Sequence, residues 1–488
     1  MYPRLNRFRW SNQRWLRKGY HLRRDVIVLY YKPSPTESIR YTGTRLIQGH
    51  FMMVFDALYR IYAGFISPPP AKKRDDAIRF GLLGASSIAP VSLIAPAKAH
   101  SEVIVAAIAA RDRPRAEAYA RKHGIPIVHS SYEERVSFGI HPELLQDPSI
   151  DAIYIALPNS FHYEWAIRSL RAGKHVLLEK PSCSNAEETR ALFTHPLLKA
   201  PNAPILLEAF HYRFHPAWQT FLGHIHDPAM GRVKNAFVQQ YLPKGVIPDN
   251  DIRWRFDLAG GAMIDFGTYT VNCLRQIFKQ EPSEVLEAKY RGLASPPASL
   301  VEADQVDQAM TARYRMADGA TGTLIADLSA SGGWPLLPTS WTRNLPRLGW
   351  PKCEVELEER VVEDSEGRVH TVKRNVVIWN HLMPSIYHRV DVEDTHAIRR
   401  GEQVVKTWTE CKREKAYQWP AGDVRAGIEQ GWWTSYLYQL HEFVNKVKGR
   451  EGSGVWVDAE DSIKQMEAVD ETYRKAGLKV RPGTAFEP

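Results

Sequence analysis

The sequence predicts an α/β protein in which an N-terminal, doubly wound parallel sheet precedes an α+β domain with a mainly antiparallel open sheet. Short apolar runs alternate with helical patterns from residue 78 to about residue 207, which is typical of parallel βαβ units. Longer strand-like runs with few helices follow after about residue 216, which favours antiparallel pairing. The chain also has enough hydrophobic residues, 44% of 488, to fill more than one core.

The composition excludes several classes of protein. With 24% charged residues the chain is neither a disordered protein nor a small disulfide scaffold. No apolar run reaches about 18 residues, so we expect no membrane span and no membrane partner. The four cysteines are scattered without a C-x-x-C pair, so the sequence assigns no metal site and favours a reducing, cytoplasmic location.

The net charge of the chain is confined to its first 51 residues. These hold eleven Lys and Arg against two acidic residues, which accounts for the whole net charge of +9. A basic face for nucleic acid is therefore not indicated in the rest of the chain. Three interpretations of residues 1–51 stay open: translated sequence that is not native to the protein, a mitochondrial transit peptide, or a nucleic-acid-binding arm.

Residues 1–76 are predicted to form an N-terminal extension that ends in a helix and a linker. The helix spans residues 53–65, because Val54, Ala57, Leu58, Ile61 and Phe65 share one face at helical spacing. We expect that face to pack on the body of the protein or on a second subunit. A Ser-Pro-Pro-Pro run at residues 67–70 then ends the helix.

The parallel domain is predicted over residues 77–210 and the α+β domain over residues 211–488. Strands of the first are expected at residues 78–83, 103–109, 125–128, 152–156, 175–178 and 205–207, with helices such as 114–123 and 163–172 between them. Strands of the second are expected at residues 234–241, 309–314, 321–328, 355–362 and 370–378, with helices at 433–447 and 459–476. A Trp-rich insertion spans about residues 329–420 and is interpreted as sheet core, a carbohydrate-stacking wall or a subunit interface.

A glycine turn follows the first predicted strand and leads into a helix. Such a turn lets the backbone approach a pyrophosphate, which the free N–H groups of the helix N-terminus then bind. Ser86 stands where a third glycine is usual. The predicted dinucleotide-binding residues of this turn are Gly81, Gly84, Ser86, Ser87 and Ile88.

The second strand ends in Arg111-Asp112, which bears on the choice of dinucleotide. An arginine there favours the 2′-phosphate of NADP, whereas a carboxylate reaching the ribose 2′-hydroxyl favours NAD. We expect NADP, with Arg111 as a binding residue, and NAD stays the alternative.

The fourth and fifth strands end in loops that should border the same cleft, because ligands bind at the carboxyl ends of strands in open α/β sheets. The residues predicted to border the dinucleotide here are Leu157, Pro158, Asn159, His162, Glu179 and Lys180. The Lys180 ammonium could also hydrogen-bond a substrate hydroxyl and stabilise a developing alkoxide. The alternative is a surface lysine paired with Glu179.

Five segments together resemble a known family. They are GLLGASSIA at residues 81–89, ALPNSFH at 156–162, AGKHVLLEKP at 172–181, EAFHYRFHP at 208–216 and GGAMIDFGTY at 260–269. In this order they resemble the glucose-fructose oxidoreductase / inositol dehydrogenase (Gfo/Idh/MocA) family, over about residues 78–482. Within it the chain is most similar to fungal NADP-dependent D-xylose 1-dehydrogenases and dimeric trans-dihydrodiol dehydrogenases.

The resemblance implies a Rossmann domain, a C-terminal domain whose sheet supports the substrate site, and a homodimer or higher oligomer. It implies that Lys180 is catalytic, that Pro181 follows a cis peptide, that Tyr269 is the acid/base and that Asp265 is its partner. From the residues alone, a lysine ammonium beside Tyr269 should lower the pKa of the phenol and let it accept a proton. The alternative role for Tyr269 is core packing.

Arg213 and His215 are further candidates for binding a substrate, Arg213 with a structural salt bridge as the equal alternative. The expected reaction is hydride transfer from a hydroxyl-bearing carbon of an aldose or cyclic polyol to NADP, with D-xylose giving a lactone. Two other hypotheses stay open. One is a dehydrogenase of the same family for trans-dihydrodiols or secondary metabolites, and the other is a non-catalytic dinucleotide-sensing regulator.

Overall fold

A computed structural model of the chain describes residues 55–129, 143–294, 296, 299–334, 338–363, 369–401, 403–427 and 429–487. The interpretations of residues 1–51 therefore lie outside the described residues. Phe55–Pro488 forms one compact unit that contains two β-sheets. None of the helices described within it is both long enough and apolar enough to cross a membrane.

Helix α1 covers residues 55–66, and its last part, Tyr62–Ile66, is a π-helical turn. It docks through small residues, because Ala63 and Gly64 are buried and a Cβ on Gly64 would lie 2.9 Å from the Thr434 side chain. Leu58, predicted on the contact face, is 56% exposed, since the docking face follows these small residues rather than the apolar stripe. Val54 lies outside the described residues.

The first sheet has six parallel strands in the order β3-β2-β1-β4-β5-β6. Alternate residues of the strands enter two separate hydrophobic clusters, one on each face, as expected for a doubly wound sheet. The order reverses between β1 and β4, which is where such folds bind ligands. The strands are β1 (Ile78–Leu83), β2 (Val103–Ala109), β3 (Ile127–Val128), β4 (Ala152–Ile155), β5 (His175–Leu178) and β6 (Leu206–Glu208).

Helices connect these strands and begin at defined caps. Asp112 caps α3, because its Oδ1 accepts from the backbone N–H of Arg115 at 2.7 Å, and Gly124 ends the helix in the left-handed region at φ 70°. The helices are α2 (π-helical over Pro90–Ile94, α-helical over Ala95–Ala99), α3 (Arg113–His123), α4 (Glu143–Gln146), α5 (His162–Arg171) and α6 (Ala186–Phe193).

The second sheet has nine strands, and the segment predicted as an insertion supplies five of them, β11 to β15. Its pairs are antiparallel except β7 with β10, which confirms the predicted mainly antiparallel sheet. The order is β15-β14-β13-β11-β7-β10-β9-β8, with β12 beside β13. The strands are β7 (Val233–Pro243), β8 (Pro282–Gly292), β9 (Asp307–Met316), β10 (Thr321–Ala330), β11 (Lys352–Leu357), β12 (Arg360–Glu363), β13 (Val369–Trp379), β14 (Arg389–Arg400) and β15 (Gln403–Glu414).

Among the residues described after β6, five longer or α-helical segments complete this part of the fold. One face of the second sheet packs on α8, where a Cβ added to Gly322 of β10 would lie 3.0 Å from Leu274. The last helix, α11, returns to the first sheet, and its Asp470 accepts a hydrogen bond from the backbone N–H of Ala186 at 2.9 Å. The helices are α7 (Pro216–Ile225), α8 (π-helical over Met263–Gly267, α-helical over Thr268–Phe278), α9 (Thr339–Thr342), α10 (Ser435–Val447) and α11 (Ala459–Lys475).

Candidate active site

Lys180 lies just beyond the carboxyl end of β5, and the Lys180–Pro181 peptide is cis, as the family resemblance implied. The lysine Nζ donates to Asp265 Oδ1 at 2.5 Å and to the Asp265 carbonyl oxygen at 3.1 Å. Its ionic partner is thus a carboxylate of α8 and not the adjacent Glu179. This contact joins the carboxyl end of a strand of the first sheet to the helix that packs on the second sheet.

Asp265 and Tyr269 lie one turn apart on α8, and Lys180 contacts both. Its Nζ is 4.7 Å from the centroid of the Tyr269 ring, a cation–π distance. Arg253 Nε donates to the second Asp265 oxygen at 2.7 Å. Burial opposes ionisation of Asp265, but the Lys180 and Arg253 cations hold its pKa far below the usual value. Asp265 is therefore a carboxylate that fixes the position of the lysine.

Tyr269 is a buried phenol at the edge of this ion cluster. The rings of Phe210, His211 and Tyr212 contact it edge-on, with centroids 5.8–6.0 Å away. Burial raises its pKa well above 10.0, and the neighbouring phenol of Tyr436 acts in the same direction. The net shift is thus opposite to the lowering predicted from the nearby lysine, because desolvation outweighs the one cation that lowers this pKa, Arg253. At neutral pH Tyr269 is a proton donor.

The glycine turn is built around Gly84. Its φ of 98° favours glycine, and a Cβ there would lie 3.0 Å from Leu157 Cδ2 and 3.1 Å from the Ala156 carbonyl oxygen. Gly81 lies three residues earlier, inside β1, where a Cβ would lie 2.8 Å from Leu144 Cδ1. Gly84 thus shapes the turn, whereas Gly81 is required for packing and is not part of the turn.

The turn ends at the N-terminus of α2. Ser86, which stands where a third glycine is usual, accepts with its Oγ from the backbone N–H of Ala89 at 3.3 Å, just before the helix. Ser87 is exposed and Ile88 partly buried. The bare backbone of Gly84 and the helix N-terminus beyond it fit a dinucleotide pyrophosphate.

Two arginines lie on the far side of this turn. Arg111 follows β2 and is exposed. Arg115, in the first turn of α3, donates to the Ala85 carbonyl oxygen at 3.0 Å. Asp112, between them in the sequence, uses one carboxylate oxygen to cap α3. Arg111 and Arg115 therefore lie near the strand end at which such folds distinguish NADP from NAD.

The predicted dinucleotide-binding residues of the later loops have mostly structural partners. His162 Nδ1 lies 2.7 Å from the Pro181 carbonyl oxygen and its Nε2 2.9 Å from that of Leu157, so it ties the two loops together. Burial lowers its pKa to about 4. Asn159 Nδ2 donates to the Ala259 carbonyl oxygen at 3.0 Å.

Glu179 faces the sheet interior. It is buried and accepts a hydrogen bond from the Tyr154 hydroxyl, and burial raises its pKa. Leu157 is buried too, while Pro158 stays partly exposed. We therefore keep Pro158 and the backbone of these loops, rather than the Glu179 and His162 side chains, as candidate contacts for a dinucleotide.

The two predicted substrate-binding residues are placed away from open space. Arg213 pairs with Asp461 of α11 and donates to the Trp456 carbonyl oxygen at 2.9 Å, which is the structural salt bridge of the alternative interpretation. His215 is fully buried, and its Nδ1 accepts from the backbone N–H of Ala217 at the start of α7. We do not propose either side chain as a substrate contact.

Sequence reasoning missed three residues of the site: Arg253, His211 and Tyr436. The His211 ring stacks on that of Tyr436 with centroids 4.0 Å apart and lies 5.8 Å from that of Tyr269. Burial lowers the pKa of His211 to about 3, so this imidazole is neutral. Their spacing in the sequence carries no signal, because the segment before α8, helix α10 and the segment after β6 meet only in the folded chain.

Comparison with known proteins identifies the family of the chain. A model described as an oxidoreductase family with an NAD-binding Rossmann fold matches residues 78–196, and one of the GFO/IDH/MocA C-terminal domain matches residues 224–354. A trans-1,2-dihydrobenzene-1,2-diol dehydrogenase of Mus musculus is 30% identical over 262 residues, which are 52% of this chain and 70% of that protein. The chain belongs to the Gfo/Idh/MocA oxidoreductase family.

Another Gfo/Idh/MocA relative, D-xylose 1-dehydrogenase (NADP(+)) 2 of Haloferax volcanii, is 40% identical over 209 residues. The match covers 42% of this chain and 58% of that protein, so the chain spans less than two thirds of its length. A crystal structure of a 3-ketoreductase from Actinomadura kijaniata, in complex with NADP and TDP-benzene, superposes with a TM-score of 0.57. At 21% identity, over 81% of this chain and 96% of the other, it shows a shared fold.

Proposed function

We propose that this family member is an NADP-dependent oxidoreductase that oxidises a hydroxyl-bearing carbon of an aldose or cyclic polyol. The first candidate is the anomeric carbon of D-xylose, with the lactone as product. The observation that carries the proposal is one ammonium, Lys180, held between the Asp265 carboxylate and the Tyr269 ring at the end of a parallel strand. The 40% sequence identity to a D-xylose 1-dehydrogenase over 209 residues supports this substrate class.

Each residue of the site has a different role around the reacting oxygen. A bound nicotinamide supplies the acceptor for the two electrons and the hydrogen that leave the substrate carbon. Lys180 donates a hydrogen bond to the substrate oxygen and stabilises its negative charge. Asp265 and Arg253 keep the ammonium in place, so that little reorganisation is needed when the charge develops.

The protonation state of Tyr269 determines how the rate of each direction of the reaction depends on pH. As a phenol it donates its proton to a carbonyl oxygen, which is the acid step of reduction. The reverse reaction has to place the proton of the substrate hydroxyl on the phenolate. Since the pKa of Tyr269 is raised, the oxidation rate should increase with pH over a wide range.

We propose that Arg111 and Arg115 bind the 2′-phosphate of NADP. A hydrogen bond to a charged group contributes about 1.5–3 kcal/mol, so Arg115→Ala or Arg111→Ala should lower kcat/KM for NADP by roughly 10–150-fold and leave that for NAD unchanged. Arg113→Ala is the matched control, because this exposed arginine pairs with Glu117. Equal losses with both dinucleotides in the Arg111 and Arg115 variants would contradict the proposal.

A substrate panel tests the function. NADP reduction by the full chain should be measured with pentoses, hexoses, inositols and trans-dihydrodiols. The proposal predicts the highest kcat/KM with D-xylose or a related aldose. The highest value with a trans-dihydrodiol would favour the second candidate, to which the Mus musculus relative points. Dinucleotide binding without turnover of any compound would instead indicate a sensing regulator.

We also propose that the chain acts as a cytoplasmic homodimer formed through its second sheet. Large apolar side chains at the outer end of this sheet are exposed, among them Val361, Val369 and Val405. All four cysteines are free thiols, which suits a reducing compartment. Sedimentation equilibrium of the full chain tests the assembly, and a monomer at micromolar concentration would contradict it.

A further inference from the structure

A second cluster of reactive side chains lies outside the candidate active site. It consists of Cys273 on α8, Cys353 on β11 and His381 just after β13. One ligand atom of each, the two Sγ atoms and a ring nitrogen, all lie within 4.8 Å of one another. All three side chains are completely buried.

His381 shows that the cluster is incomplete. In the described part of the chain neither ring nitrogen makes a hydrogen bond of good geometry, and the group beside one of them is the Cys273 thiol. A buried polar group without a partner costs about 1–3 kcal/mol, and a neutral imidazole has both a donor and an acceptor to satisfy. A group bound by the ring nitrogen that faces the two sulfurs would meet part of this need.

The donor set matches one kind of ligand. Two thiolates and an imidazole suit Zn²⁺, which takes sulfur at about 2.3 Å and nitrogen at about 2.0–2.1 Å. Around such an ion the ligand atoms lie about 3.5–3.8 Å apart, so the cluster needs to contract by only about 1 Å. We propose that Cys273, Cys353 and His381 bind one Zn²⁺ ion.

Charge favours zinc over a monovalent ion. Two thiolates and a neutral imidazole carry a charge of −2, which a divalent cation cancels, and a neutral site is the least costly to bury. The Tyr212 hydroxyl also lies beside Cys273 and donates to Asn272 Oδ1 at 2.7 Å. The three residues fill three of the four positions of a tetrahedral zinc site.

The ion would connect the helix of the candidate active site to the second sheet. Cys273 lies one turn after Tyr269 on α8, whereas Cys353 lies in β11 and His381 follows β13. A metal bound to all three therefore fixes α8 against the sheet. Its role is structural, and its presence does not depend on the proposed dehydrogenase activity.

Metal analysis of purified protein tests the proposal. The full chain, without a polyhistidine tag, is expressed with added zinc and dialysed, and its metal content is measured by mass spectrometry. We expect one zinc per chain. In Cys353→Ser and His381→Asn the content should fall by at least about tenfold, since changes even around a metal ligand cost about 10–100-fold in affinity. Cys183→Ser and Cys411→Ser, outside the cluster, should keep their zinc.

The unmodified chain provides a second test that does not depend on the variants folding. Native mass spectrometry should give the mass of the chain plus one zinc, and Co²⁺ exchanged into the site should show a thiolate-to-cobalt charge-transfer band with the strong visible bands of tetrahedral coordination. Several results would overturn the proposal: a metal-free chain after expression with zinc, copper in place of zinc, or a mass two hydrogens lower, which indicates a disulfide.

Discussion

Replacing Lys180 by methionine removes the charge of the proposed catalytic ammonium and little else. Methionine has nearly the length of the lysine side chain and is tolerated in buried positions. Asp265 keeps its second cationic partner, Arg253, at 2.7 Å, so the carboxylate is not left alone. The glycine turn that we assign to the dinucleotide is built by other residues. The substitution should therefore separate turnover from binding.

The expected loss follows from the position of the ammonium. The Lys180 side chain is only 11% exposed, so water screens its charge poorly, and the Asp265 contact already fixes its orientation. Removing one such pre-oriented donor from a developing oxyanion costs about 2.7–4 kcal/mol, which lowers kcat by roughly 10²–10³-fold. The Kd for the dinucleotide should stay unchanged.

Steady-state kinetics with the best substrate of the panel and fluorescence titration with NADPH measure the two quantities. Lys174→Met is the matched control, because this lysine is also buried but donates to the carbonyl oxygens of Asp147 and Ile150 at 2.8 and 2.7 Å. Its kcat should equal that of the unmodified chain. A Lys180→Met enzyme with undiminished kcat, or one that loses dinucleotide binding and turnover together, would refute the reasoning.

Three further substitutions test neighbouring parts of the account. Tyr269→Phe should lower kcat by about 10²–10⁴-fold and abolish the rise of the oxidation rate between about pH 6 and about pH 10; an unchanged pH–rate profile would remove the acid/base role. Gly84→Ala should weaken NADPH binding and lower the melting temperature more than Gly124→Ala does. The control glycine also has a positive φ, but no atom lies within 4 Å of a Cβ added to it. Equal effects of the two substitutions would show that the turn has no special role. Burial raises the pKa of Glu208 from 4.5 to about 7, so the folded state binds the Glu208 proton more tightly than the unfolded state. The stabilisation that comes from this protonation is therefore present below about pH 4.5 and is lost as the pH rises to 7. Glu208→Gln should therefore gain stability over the unmodified chain across that range, by on the order of 3 kcal/mol, and a difference that does not vary with pH in chemical denaturation would contradict this.

The first sheet could be predicted closely because its signal is local. The observed bounds of β1, β2 and β5 are the predicted ones, since aliphatic runs buried on both faces stand out from their surroundings. In contrast, β15 (Gln403–Glu414) was missed because nearly all of its side chains are exposed. Its polar sequence becomes a strand only through pairing with β14, which no local pattern reveals.

The candidate site could be predicted in outline but not in its electrostatics. A lysine at a strand end and the four-residue spacing of Asp265 and Tyr269 located the ion cluster. The pKa of Tyr269 depends on how deeply aromatic residues from other segments bury it, which the sequence does not show. The same holds for Cys273, Cys353 and His381, because their spacing in the chain is unlike that of a zinc motif.

The central claim is that the hydrogen on a sugar carbon passes to a dinucleotide beside Lys180 and Tyr269. D-xylose deuterated at C1 tests it most directly, with NADP, the full chain, and NMR of the nucleotide product. The account predicts reduced nucleotide carrying the deuterium and a slower rate than with unlabelled sugar. Reduced nucleotide without deuterium would contradict it, as would no reduction with this or any other compound of the panel.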